Sequence, residues 1–130
     1  MNKPKTMKTI KEAYGIKLRI VENKVLPPKG FVAINLGWIF TRDAQKLTES
    51  VLRHEAIHTV QAREMLFVPY YLLYLLEYLV KLFICGNADK AYKSISFEQE
   101  AYLNSKNPNY LQERKNFAWA KYIFKMYNNS

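Results

Sequence analysis

The stretch "TESVLRHEAIHTVQAREMLF" occupies residues 48–67, and its reading decides the rest of the chain. Thr48 is a suitable N-cap, since a threonine hydroxyl there satisfies one of the amide groups left over at a helix start, although a start nearer Asp43 is also open. Val51, Ala56, Val60 and Leu66 form the face expected to pack on a sheet. His54, His58 and Gln61 lie on another stripe. His54 and His58 are both of the histidines in the chain, and they frame Glu55 in the spacing H-E-x-x-H.

On a helix, residues four apart share a face and are separated by about 6 Å along the axis. His54 and His58 can therefore place ring nitrogens on one metal ion, at about 2.0–2.1 Å each for zinc. Glu55 is turned about 100° from His54, too far round to ligate beside it but able to reach a water in front of the metal. Zinc brings such a water to a pKa near 7, and a glutamate can take its proton. A catalytic zinc needs a third protein ligand. There is no third histidine, and Cys85 would make an unusual set. The carboxylates remain: "SISFEQEAYLNS" offers Glu98 and Glu100, which cannot both face the metal from positions two apart on a helix.

Before the motif, residues 1–15 read as a basic lead-in, partly helical over residues 6–14. "IKLRIVE" (16–22) alternates apolar and polar side chains and reads as a strand. "VLPPKG" is a turn by its prolines and glycine. "FVAINLGWIFTR" (31–42) reads as one strand, or as two short ones with Gly37 at a bulge or turn.

After the motif, Pro69 is expected to end or kink the helix. A very apolar helix is expected over residues 69–84, stopped by Cys85, Gly86 and Asn87. "NADKAYKS" gives a short helical turn. Ser96 with Gln99 has capping-box spacing for a third helix. Asn107 and Pro108 open a last helix over 109–127, whose "FAWAKYIF" reads as core. Glu64 is expected in a salt bridge, and Glu77 beside Arg63, Lys81, Arg114 or the metal site. Tyr70, Tyr74 and Tyr78 form a stripe that fits a core, a membrane-interface belt or an apolar substrate groove.

Strands followed by helices indicate an α+β class, mainly helical, with a small N-terminal sheet packed on the motif helix. The 130 residues make one domain: lead-in 1–15, strands 16–42, helices 43–130. With one cysteine, no internal disulfide forms, which fits a reducing compartment. No signal-peptide pattern stands at the N-terminus, so a cytoplasmic location is expected. The net charge of +9 invites an anionic partner, nucleic acid or an acidic membrane surface, but the lysines are scattered, which fits plain solubility better. No recognition-helix pattern accompanies the charge, and nucleic acid is not the expected partner. Residues 65–84 have the length of a membrane span. Pro69, Glu77 and Lys81 argue instead for a helix that is buried or lies along a membrane surface, so a peripheral membrane contact is expected.

In these residues the chain resembles the glutamate-zincin group of metallopeptidases, where HExxH is followed by a helix carrying E-x-x-A. "HEAIH" (54–58) and "EQEA" (98–101) carry the resemblance, and "HEAIHTVQ" is also similar to small metallopeptidase-like domains with HExxHxxQ. The resemblance implies a minimal zincin-like fold, zinc held by His54, His58 and Glu98, Glu55 as general base, and a peptide or protein substrate. It departs at Tyr102, where such families often carry an aspartate. Tyr102, Tyr92 and Arg114 are candidate oxyanion donors, and Gln61 is a candidate to orient a ligand or touch substrate. The rival expectation is a metal-containing binding module without turnover.

Overall fold

The computed structural model describes residues 6–127. Four strands come first: β1 (Met7–Ala13), β2 (Ile16–Glu22), β3 (Ala33–Asn35) and β4 (Ile39–Thr41). A 3-10 turn at Ala44–Lys46 leads to α1 (Glu49–Glu64), α2 (Val68–Cys85), α3 (Ala88–Ser94), α4 (Ser96–Asn104) and α5 (Tyr110–Glu113), with a 3-10 segment at Ala118–Tyr122. The class is α+β with a mixed N-terminal sheet, as the order of patterns indicates.

The sheet order is β1-β2-β4-β3. β1 pairs antiparallel with β2 from Met7↔Glu22 to Ala13↔Ile16. Tyr14 and Gly15 form the turn with φ of 56° and 75°. Two positive-φ residues match the twist of a two-residue hairpin. This corrects the expectation of a partly helical lead-in over 6–14; residues 1–5 of that lead-in lie outside the described residues. β1 is an edge strand exposed on both faces up to Glu12, so it shows no apolar alternation. β2 runs parallel to β4, and β4 returns antiparallel to β3 across a turn at Gly37, whose φ is 92°.

α1 starts as expected: Thr48 Oγ1 accepts from the Val51 amide at 3.3 Å. Of the face expected on the sheet, only Ala56 is laid there, and Leu52 joins it. Leu52 and Ala56 pack with Leu18, Ile20 and Ile39, while Val51 and Val60 are half-buried and Leu66 is exposed. Leu52 and Ala56 are four apart and share one stripe, whereas Val51 lies about 100° round from Leu52. A second cluster of Ala62, Tyr70, Ile95, Phe97 and Trp119 joins the end of α1 to α2 and α4. α1 thus runs between two cores, which fixes its rotation.

Pro69 sits in the first turn of α2, where its missing amide hydrogen costs nothing, and α1 has already ended at Glu64. Gly86, with φ of 65°, closes α2 by donating to Leu82 O at 2.8 Å. Ser96 does not act as the capping-box residue. It is the first residue of α4, and its amide and hydroxyl both donate to the buried Glu77 carboxylate at 2.5 and 2.6 Å. A carboxylate at a helix N-terminus meets the positive end of the helix dipole. Lys81 donates to Glu77 at 2.8 Å and to the Ser94 carbonyl.

The long last helix is also corrected: α5 stops at Glu113. Arg114 is extended there because Glu64 and Glu100 both hold its guanidinium, and Phe117 N donates to Glu64 at 2.6 Å. These buried ionic contacts override local helix propensity. Of the segment read as core, Trp119 and Tyr122 are buried, while Phe124 is exposed.

The rotation of α1 is testable. Leu52→Ala should lower the unfolding free energy by about 2–4 kcal/mol, as large-to-small core changes do. Val51→Ala should cost less than about 1 kcal/mol. Urea denaturation followed by circular dichroism separates them, and equal effects would contradict this packing.

Candidate metal centre

One turn apart on α1, His54 and His58 turn their Nε2 atoms to the same point, 3.1 Å from each other. α4 brings Glu98 Oε1 to that point, 3.2 Å from His54 Nε2 and 3.0 Å from His58 Nε2. The three residues form a group able to hold a metal, and Glu98 is only 3% exposed. Ligands around a tetrahedral zinc stand about 3.3 Å apart, given bonds of about 2.0–2.1 Å. The triangle of donors therefore fits such an ion closely.

The hydrogen bonds behind the triangle say which atoms offer lone pairs. Gln61 is fully buried, and its Nε2 donates to Phe97 O at 3.0 Å and Glu100 Oε1 at 2.9 Å. Its Oε1 must then be the atom facing His58 Nδ1, 2.8 Å away. An amide oxygen only accepts, so His58 Nδ1 carries a proton and donates it. In the neutral ring, His58 Nε2 is left with a lone pair pointing at a carboxylate oxygen. That arrangement is repulsive unless a cation, a proton or a metal ion, lies between them.

Charge follows the same logic. Burial alone would raise the Glu98 carboxyl, but His58 and the hydrogen bonds from both histidines outweigh it and hold the group well below the usual carboxylate range. Burial alone would lower His58, but the Glu98 charge and hydrogen bond, with Glu55 and Gln61, push it up to about 9. The other Glu98 oxygen accepts from Tyr74 OH at 2.6 Å.

Glu100 does not join the triangle. About 200° round α4 from Glu98, it faces away from the triangle. It is fully buried, accepts from Tyr110 OH at 2.6 Å and from Arg114 Nε at 2.5 Å, and holds Gln61 in place. Arg114 also binds Glu64 at 2.8 Å, the salt bridge expected for Glu64. The guanidinium of Arg114, a candidate oxyanion donor by sequence, is held by Glu64 and Glu100 behind the triangle.

Glu55 is buried with Oε2 4.0 Å from His54 Nε2. Burial raises its carboxyl, and His58 and His54 offset this only in part. Its carbonyl accepts from Asn35 Nδ2 at 3.0 Å, which ties β3 to α1. A pocket of about 350 Å³ opens over Glu55, His58 and Glu98. Pro27, Phe31, Ile34 and Leu36 wall one side of it, and Tyr70, Tyr71, Tyr74, Tyr78 and Tyr92 the other. All three tyrosines of the stripe line this pocket, with Tyr70 also in the core. Tyr92 lines the pocket. Tyr102 stacks edge-on against His54 at 4.6 Å between ring centres and is 44% exposed.

Reasoning from sequence missed Tyr74 on Glu98, Asn35 on the Glu55 carbonyl, Glu100 behind Gln61, and Tyr71. The Tyr71 hydroxyl is buried and has no hydrogen-bond partner among the described residues. Only the four-residue spacing of Tyr70 and Tyr74 hinted at any of these. Compared with protein-family models, curated proteins and solved structures, the chain matches none.

Metal uptake should depend on pH. With its folded pKa raised to about 9, His58 contributes stability to the metal-free chain that is fully present below about 6.5 and lost as pH rises through about 9. A metal must displace that proton, so apparent affinity should rise with pH and level off above about 9. Calorimetry in buffers of different ionisation heat should show proton release at neutral pH. An affinity that is flat across this window would contradict the assignment.

Proposed function

We propose that this chain is a zinc-dependent hydrolase of zincin-like design, acting on amide bonds and most simply a peptidase. The convergence of His54, His58 and Glu98 beneath a pocket that also holds the Glu55 carboxylate carries this reading. The packing of α1 on the sheet, with the third donor on α4, supports the resemblance to glutamate-zincins.

Zinc bound by His54, His58 and Glu98 would supply Lewis acidity and a water acidic enough to attack at neutral pH. Glu55, which lines the pocket beside His54, would take the proton of the attacking water and pass it to the leaving nitrogen. Its raised carboxyl makes it a stronger base than an exposed glutamate. Gln61 fixes the His58 ring and its tautomer, and Tyr74 fixes the Glu98 carboxylate. Tyr71 lines the pocket, and its hydroxyl, without a hydrogen-bond partner among the described residues, would be available to an oxygen that gains charge as the carbonyl is attacked. The pocket's aromatic and proline walls suit an apolar side chain beside the scissile bond.

Replacing Glu55 by Gln should leave zinc content and melting temperature nearly unchanged and lower turnover about 10²–10⁴-fold. Tyr71→Phe should lower kcat by about 10²-fold with little change in KM. Mass spectrometry of a mixed peptide library reads both. A zinc-loaded native chain that cleaves no faster than Glu55→Gln would replace the hydrolase by a metal-containing binding module.

A further inference from the structure

α2 is amphipathic in the reverse of the usual sense. Its two charged residues, Glu77 and Lys81, are buried against the domain. Its outer face carries Leu72, Leu75, Leu76, Leu79 and Phe83, exposed by 65, 55, 57, 52 and 92%. At 100° per residue these five span about 100° of arc, centred opposite Glu77 and Lys81. The face is about 27 Å long for 18 residues. Val68 and Leu66 extend it at the N-terminal end, both exposed. A soluble surface rarely shows so continuous an apolar strip without a partner for it.

We propose that this face docks on an anionic lipid bilayer, with α2 lying in the plane of the membrane. Charge complementarity favours lipid as the occupant. The chain carries 20 lysines and arginines against 11 aspartates and glutamates, a net charge of +9. A chain with this excess of positive charge is drawn to acidic headgroups, and the exposed apolar face supplies the burial that holds an interfacial helix there.

α2 is long and apolar enough to cross a membrane, but its inner side cannot face lipid. There Lys81 and Glu77 are engaged by Ser94 and Ser96, and α3 packs on α2 while exposing Asp89 and Lys90 to water. One face toward lipid and one toward protein describes a helix that lies on the surface. The tyrosines of the pocket, at about 40–100° round α2 from Tyr70, border the lipid face at Leu75. The proposal itself does not rest on the metal reading.

Flotation of the purified full chain with vesicles tests it, using phosphatidylcholine alone and phosphatidylcholine mixed with phosphatidylglycerol. The chain should float with the anionic vesicles at least about tenfold more than with the neutral ones, and salt should weaken the binding. A triple variant, Leu72→Glu, Leu76→Glu and Leu79→Glu, should lose at least about tenfold in binding with an unchanged melting temperature, since all three side chains are exposed. The single change Phe83→Gln should give a smaller loss in the same direction. Failure to float with either vesicle overturns the proposal. So does a dimer in lipid-free solution that the triple variant disperses, because the face then belongs to a second copy. Binding that survives the triple variant overturns it as well. Zinc content measured on the same samples reports on the metal reading independently.

Discussion

Two imidazole nitrogens and one carboxylate oxygen, all within 3.0–3.2 Å of one another, cannot share a buried point without positive charge between them. The rest of the molecule is arranged around that constraint. α1 supplies two of the atoms, and its rotation is held by Leu52 and Ala56 on the sheet and by Ala62 in the second core. α4 supplies the third, and its start is pinned by Glu77 reaching across from α2. A relay from His58 through Gln61, Glu100 and Arg114 to Glu64 keeps the triangle from relaxing. His58, Gln61 and Glu100 are buried, Arg114 and Glu64 half-buried, and all are satisfied, so removing one would strand a charge or an amide behind the site.

The buried ionic groups have a structural cost and a positional role. Glu77 and Lys81 would be unusual in the core of an ordinary helix. Here they hold the ends of α3 and α4, and they leave the aliphatic side chains of α2 outside. The helix that carries Tyr74 to Glu98 therefore also carries the apolar outer face. The pocket and the outer face are two sides of one element, which ties the site's geometry to whatever covers α2.

What could be read in the sequence was what local periodicity encodes. The spacing of His54 and His58, the Thr48 cap and the Gly86 stop are local signals, and each appears in the structure in its expected place. The choice of Glu98 over Glu100 rested on a resemblance, and the geometry puts Glu98 at the triangle and Glu100 behind it. Tertiary contacts hid the remainder. β1 has no buried face, so no alternation marked it as a strand, although Tyr14 and Gly15 carried a hairpin turn. The last helix breaks at Arg114 because of partners 14 and 50 residues away in sequence. Val51 looks as apolar as Leu52, and only the packed sheet distinguishes them.

The central claim is that the triangle holds a divalent metal and not only a proton. Anomalous diffraction at the zinc edge, from crystals grown with zinc, tests it most directly. The account predicts one strong peak about 2.0–2.1 Å from His54 Nε2, His58 Nε2 and Glu98 Oε1. A zinc-soaked crystal with no peak at the triangle, or with its peak on Glu100, would contradict it.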